Sequence, residues 1–335
     1  MLDMQIFTPS LSLRAVCDCA LSVHATEEYD APGSCTILVP LGQAGAFVPE
    51  GMISIPGIGG GYQIESIRED GANETAMITG RGILHRFTQR ILAESFPYAG
   101  TAEDGIIDLA ANCGGNALPV NLSCISYGIP DTVDVRAEAG SLLSVMRTLA
   151  RPAGLGLHLR LDPAAREFLF SVRTRTTGGT FLSRSLGNLR SATRWQDRKN
   201  YVNRVTVRGQ DGTSVTMDAA DCIRDGFDDA AAPVREYLLS VPDLSQGDFA
   251  SEAAYLEALR KRGTSLLQSR RPIFSASAET DEDTARRVRL GEICPLSDPL
   301  LGRYAGAICT QKSLTADKNG IRHAISLSLM PDESV

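Results

Sequence analysis

Cysteines, glycines and histidines are the residues whose spacing here could do chemistry. Eight cysteines stand at positions 17, 19, 35, 113, 124, 222, 294 and 309, and Cys17-Asp18-Cys19 is the tightest pair. A structural zinc site separates its ligands by two to four residues and needs a second pair or histidines. Neither condition is met near Cys17, so two thiols packing on one face of a strand is the favoured reading. The cluster Pro56-Gly57-Ile58-Gly59-Gly60-Gly61 suggests a phosphate loop. A dinucleotide fingerprint requires G-x-G-x-x-G at the start of a helix, but Tyr62 takes the sixth place and a strand pattern follows. The cluster therefore reads as a flexible hairpin tip. Glycine lets another backbone come close, which makes Gly57, Gly59, Gly60 and Gly61 candidate partner contacts.

The four histidines, His24, His85, His158 and His323, have no metal-like partner at i+4. No G-x-S-x-G elbow occurs. A Ser/His/Asp or Cys/His site assembled only in three dimensions stays open at this point, but the sequence assigns no catalytic residue, no metal and no cofactor. Arg184, Arg190, Arg194, Arg198, Lys199, Arg204 and Arg208 form a basic stretch interrupted by Asp197. It reads as a solvated strand face or as ion pairs across a contact, with Asp225–Asp229 and Asp281-Glu282-Asp283 as partners.

Strands are the elements that would position these residues. Ala15–Ala25 alternates Val16, Asp18, Ala20 and Ser22 against Cys17, Cys19, Leu21 and Val23, the period of a half-buried strand. Cys35–Leu41, Ala46–Ile55, Tyr62–Glu69 and Thr75–Thr79 continue the series between Gly and Pro turns, which predicts a small barrel or sandwich. The pattern then turns helical at Gly82–Leu92, after Thr101 (as an N-cap) and at Ser141–Leu149. Gly156–Leu161 and Glu167–Thr174 form a hairpin about Asp162-Pro163. Past a linker at Thr176–Thr180, Tyr201–Arg208 and Ser214–Met217 are strands, Ala219–Ala232 is loop, and Ser251–Gln268 is one helix, weakened at Gly263. Strands Ile273–Ala278, Glu292–Leu296, Ala305–Leu314 and Ile321–Leu329 follow, the last two joined by Asn319-Gly320, a strong hairpin signal. The fold class is thus mainly β with an α+β insertion. It divides into a first β-barrel-like domain (1–94), an α+β middle domain (95–180) and a second barrel-like domain (181–335) with a helical insertion at 251–268.

Bulk properties narrow the function. The chain has 335 residues, 43% of them hydrophobic and 22% charged, with a net charge of −7. This is ordinary globular composition, and the acidic balance argues against a dedicated nucleic-acid binder. No apolar run reaches the ~20 residues of a membrane span, and MLDMQIFTPSLSLR has no signal-peptide pattern. The cysteines are expected to be reduced and mostly buried. Aromatic residues make up 6%, with Trp195 the single tryptophan. That leaves little material for a carbohydrate platform.

Three local patterns in their order carry a resemblance across nearly the whole chain. Met77-Ile78-Thr79-Gly80 passes from a strand into a short helix carrying Leu84 and a late Arg90-Ile91. Asn200-Tyr201-Val202-Asn203-Arg204 opens the second β-unit. Gly291-Glu292-Ile293-Cys294-Pro295-Leu296 leads to Ala307–Leu314, then to the Asn319-Gly320 turn and Ile321–Leu329. In this the chain resembles the tail-tip and baseplate-hub proteins of long-tailed bacteriophages, with Glu292 where that family typically has Asp after Gly. The resemblance implies a structural, non-enzymatic virion protein without cofactor, assembled in the host cytoplasm. It implies a homotrimer whose paired barrels give six positions matching the sixfold tail tube. The implied partners are the distal tail or tube protein, the tape-measure protein and fibres or a spike, with DNA passing through an acidic channel unbound. It further implies that this chain is the hub portion, without a lytic or adhesive part. The alternatives are a tail-associated cell-wall hydrolase and a carbohydrate- or receptor-binding module.

Overall fold

The computed structural model describes residues 2–115, 118, 120–223, 233–298 and 302–330. Strand alternation decides what lies under the sheet: in Ser22–Glu28, Val23 and Ala25 are buried while Ser22 and His24 face outward. This strand is the join of the molecule. On one side it pairs with Ser34–Pro40, and on the other with the late strand Gly302–Asp317, from Val23 opposite Ala316 to Glu28 opposite Gln311. The first and last thirds of the chain therefore share one 14-stranded sheet. Its path runs from Leu189–Asp197 through Ile273–Thr280, Gly320–Met330, Gly302–Asp317, Ser22–Glu28, Ser34–Pro40, Thr75–Gly82, Tyr62–Asp70, Met52–Ser54 and Met4–Phe7 to Leu13–Cys17. Glu292–Asp298 branches from Gly302–Asp317 and carries Thr176–Thr177 and Leu182–Ser183 in parallel. Mainly β architecture with helical insertions is what the strand periodicity predicts. Barrel closure is not seen: among the described residues the sheet path is open, ending on two edge strands.

The middle of the chain combines helices with small sheets. Asn121–Ile125, Glu167–Arg173 and Gly156–Asp162 form a three-stranded sheet, and Phe96–Thr101 pairs with Thr132–Ala137. The helices Ala102–Leu109 and Leu142–Ala150 cover them. Ser141 caps the second helix, its side chain accepting from the Ser144 amide. Ile106, Leu109, Leu142, Met146, Leu149, Phe168 and Phe170 share a core with Phe7, Met52 and Phe87 of the first unit. The two units are thus fused through apolar packing. A further lobe has its own core: Arg204–Gly209, Ser214–Asp218 and Glu236–Val241 form a sheet against the helix Glu252–Ser269, burying Val205, Val207, Met217, Tyr255, Leu259 and Leu267. Ser251 caps this helix, its side chain accepting from the Ala254 amide.

Four expectations need correction. The alternation of Ala15–Ala25 covers two strands, Leu13–Cys17 and Ser22–Glu28, on different parts of the sheet. A period of two persists through a corner, because the pattern records inward and outward faces and not the change of partner. Cys17 and Cys19 therefore do not share a strand. The segment Gly82–Leu92 is not an α-helix. It makes a 3-10 turn at Ile83–Thr88 that buries Ile83, Leu84 and Phe87, and Ile91–Leu92 then pairs with Gly140–Ser141. Ala219–Cys222 is a short helix inside the expected loop, whose remainder from 224 to 232 lies outside the described residues, as does Asp225–Asp229. Finally, two members of the basic stretch, Arg184 and Arg204, pair within the chain with carboxylates other than those expected. Arg184 Nε lies 2.9 Å from the buried Asp298 carboxylate, and Arg204 bridges Asp218 at 2.7 Å and Glu236 at 3.4 Å.

Candidate functional site

Tyr29, at the end of Ser22–Glu28, fixes how the three parts of the chain meet. Its amide donates to Thr310 O and its carbonyl accepts from the Leu157 amide. Its hydroxyl lies 3.0 Å from Gly154 O and 2.9 Å from Arg173 O, and burial pushes its pKa up to about 12. Beside this junction opens a cleft of about 640 Å³, within the ~300–1,000 Å³ range of ligand pockets. Its walls are Gly57–Gly59, Tyr127 and Ile129, the strand end Val172–Thr174, and Arg289, Leu290 and Lys312 from the last unit.

The glycine-rich turn links Met52–Ser54 to Tyr62–Asp70, with Ile53 opposite Tyr62, so it is a hairpin connection as predicted. It does not project freely. Gly57 and Gly61 take φ of +86° and +90°, a region that glycine enters at little cost. Gly61 is buried, and a Cβ there would lie 2.6 Å from Leu161 Cδ1. Gly57 and Gly59 remain exposed at the cleft rim. The Gly59 amide donates to Glu27 Oε2 at 3.0 Å. The opposite wall is held by Glu103, a fully buried carboxylate that accepts from the amides of Tyr127 at 2.7 Å and Ile129 at 2.6 Å. Glu103 lies in the first turn of Ala102–Leu109, where the helix dipole favours negative charge. The expected N-cap, Thr101, spends its hydroxyl on Asp104 instead.

The charges facing the cleft are mostly positive. Glu27 Oε1 lies 3.6 Å from Arg173 Nη1 and 3.9 Å from His158 Nε2, beyond hydrogen-bond length in both cases. Burial holds His158 down to about 3, with Arg173 and Arg160 adding to the effect, so the imidazole is neutral. Burial also lowers Arg173 and Lys312, and the Lys312 ammonium donates to Val288 O at 2.9 Å. The sequence flagged the glycines of this site. It missed Glu27, Tyr127, Arg173, Arg289 and Lys312, which come from five separate segments and leave no local signal.

The residues first considered for catalysis take other roles. Burial raises Cys35, Cys294 and Cys309 to about 12, so these thiols stay protonated and poorly nucleophilic near neutral pH. His24 Nδ1 meets Thr315 Oγ1 at 3.0 Å across the sheet. A hydroxyl–imidazole–carboxylate run does occur at Thr88, His85 and Glu65, with Oγ1 2.9 Å from Nδ1 and Nε2 3.3 Å from Oε1. The Thr88 hydroxyl has a single proton, however, and a 2.7 Å contact to His85 O takes it, closing the 3-10 turn. Among the described residues no cluster of three His, Cys, Asp or Glu side chains could hold a metal ion, and no helix is long and apolar enough to cross a membrane.

One sheet built from both ends of the chain, with an α+β unit inserted, gives an overall fold shared with solved tail proteins. The tail protein from Neisseria meningitidis MC58 has it with a TM-score of 0.63 at 12% identity, over 98% of this chain and 96% of that one. The 43 kDa tail protein of prophage MuSo2 from Shewanella oneidensis gives 0.62 at 12%, over 99% and 98%. Prophage tail protein gp18 from Listeria monocytogenes EGD-e gives 0.56 at 12%, over 99% and 95%. At such identity these likenesses establish the fold. The chain belongs to the Siphovirus ReqiPepy6 Gp37-like protein family, whose model matches residues 3–327. This membership makes it a phage tail protein located in the virion tail. No curated protein matches the chain.

Proposed function

We propose that this protein is a structural subunit of the tail-tip or baseplate hub, and that three copies form a ring closing the distal end of the tail tube. The observation that carries this reading is the open sheet. It ends on Leu13–Cys17 at one side and Leu189–Asp197 at the other, and both edges expose large apolar side chains: Leu13 is 59% exposed, Val16 55% and Trp195 58%. An exposed edge strand with apolar side chains is a site for pairing with another chain. Joining one copy's first edge to the next copy's second edge is a head-to-tail contact, which closes into a ring when the rotation permits. In this reading residues 1–94 and 181–335 supply the two β-units per copy, giving six positions around a threefold ring to meet a sixfold tube, and 95–180 lies between them. The distal tail or tube protein, the tape-measure protein and the fibres or spike are the expected neighbours. We assign the chain no catalytic role.

Light scattering and negative-stain microscopy of the purified chain, alone and with other tail proteins, test the proposal. The expected particle is a ring of three times 35.9 kDa. Val16→Glu and Trp195→Glu, both at exposed positions, should each reduce it to a single copy. A wild-type chain that stays single under all these conditions overturns the reading.

A further inference from the structure

We propose that the cleft beside Tyr29 binds an extended acidic polypeptide segment of another tail component. The charged residues lining it are Arg173, Arg289 and Lys312 against one carboxylate, Glu27. That carboxylate accepts from the Gly59 amide and forms a 3.6 Å ion pair with Arg173, so one carboxylate stands against three cations in the cleft. Arg289 makes no ion pair among the described residues; its backbone is tied to Glu292, the amide donating to the Glu292 carboxylate and the carbonyl accepting from the Glu292 amide, while its side chain is exposed. With Arg173 paired to Glu27 and the Lys312 ammonium donating to the Val288 carbonyl, the exposed Arg289 and the half-buried Lys312 leave the cleft with a net positive charge that favours anionic groups. Planar guanidinium forks suit carboxylates well.

The surroundings favour a polypeptide over a small anion. The cations come from separate walls, on Glu167–Arg173, on Gly302–Asp317 and just before Glu292–Asp298. Between them lie apolar surfaces of Ile58, Ile129, Val172 and Leu290, and the rim carries Tyr127, 65% exposed. Backbone is also on offer. Thr176–Thr177 pairs on one side with Glu292–Asp298, and among the described residues its other edge is unpaired. Strand addition at such an edge supplies main-chain hydrogen bonds, while alternate side chains reach the pockets. Gly57 and Gly59, on either side of Ile58, add no side chains of their own to this wall, which lets a second backbone come close there. Two walls are pre-set, one by Glu103 and the other by Glu27, so little ordering is needed on binding. The inference rests on the tail-subunit reading only for the source of the segment.

A fluorescein-labelled octapeptide alternating Glu and Ala, titrated with the full chain and followed by anisotropy, tests it. Saturable binding is expected, weakening as salt rises and falling at least tenfold in Arg289→Glu and in Lys312→Met. The exposed Arg289 keeps the test valid if Lys312→Met misfolds. Binding is expected to survive in Val16→Glu, which separates this cleft from ring assembly. An absence of saturable binding, equal binding of a Lys–Ala octapeptide, an unchanged Arg289→Glu, or displacement by inorganic phosphate at matched ionic strength would each overturn the proposal.

Discussion

Replacing Gly263 by Ala sets two effects of opposite sign against each other. Gly263 lies inside the helix Glu252–Ser269, and glycine in a helix interior costs about 1 kcal/mol relative to alanine. On propensity alone the substitution should stabilise this lobe by about that amount. The packing reverses the expectation. A Cβ at 263 would lie 2.8 Å from Met217 Sδ, 2.9 Å from Val207 Cγ2 and 3.2 Å from Val205 Cγ1. The methionine sulfur can swing aside, since its side chain is unbranched. The valines cannot follow easily, because β-branching stiffens χ1 and both sit on the central strand Arg204–Gly209 with under 1% exposure. Overpacking a well-filled core costs about 1–3 kcal/mol. The net expectation is a loss of about 1 kcal/mol. Amide hydrogen exchange over 252–269 reads the effect locally, and the Gly263→Ala helix should exchange about fivefold faster. Ser265→Ala, at an exposed position of the same helix, is the control and should slow exchange by a few tenths of a kcal/mol. If Gly263→Ala also slows exchange, the close helix–sheet approach is not what fixes this glycine, and the reasoning fails.

Two further outcomes follow from the junction. Tyr29→Phe removes the proton shared by Gly154 O and Arg173 O and should cost about 1 kcal/mol, read as a lowered thermal midpoint. His158 is held down to about 3, so between roughly pH 6.5 and 3 the unfolded chain binds the proton that the folded chain refuses. Stability therefore falls as pH drops through this window, by at most about 1.4 kcal/mol per pH unit from this group. His158→Gln should flatten the slope between pH 7 and 5 in urea unfolding, whatever its effect at pH 7. A slope identical to wild type would refute the assignment.

Much of the local structure was legible because local physics sets it. Alternation marks the strands Tyr62–Asp70 and Arg204–Gly209, helical spacing marks the helices Leu142–Ala150 and Glu252–Ser269, and Asn319-Gly320 closes a hairpin. The glycines at 57–61 announced a turn, since a positive φ is something their own residue type permits. The corner between Leu13–Cys17 and Ser22–Glu28 was hidden, because alternation continues unchanged when a strand changes neighbour. Gly263 shows the same limit: its cost was readable, but its reason lay in two valines more than fifty residues away.

What the sequence determined by itself is which residues face inward and where the chain turns. The tertiary structure alone decided which strands lie side by side. It merged the first and last β-units through Ser22–Glu28 and Gly302–Asp317, left Leu13–Cys17 and Leu189–Asp197 as edges, and gathered Glu27, Arg173, Arg289 and Lys312 around one cleft. The physical reason is that hydrophobic burial is non-directional and strand hydrogen bonding is indifferent to side-chain identity. A residue pattern specifies that a face must be covered, and only the competition among all faces of the folded chain settles by what.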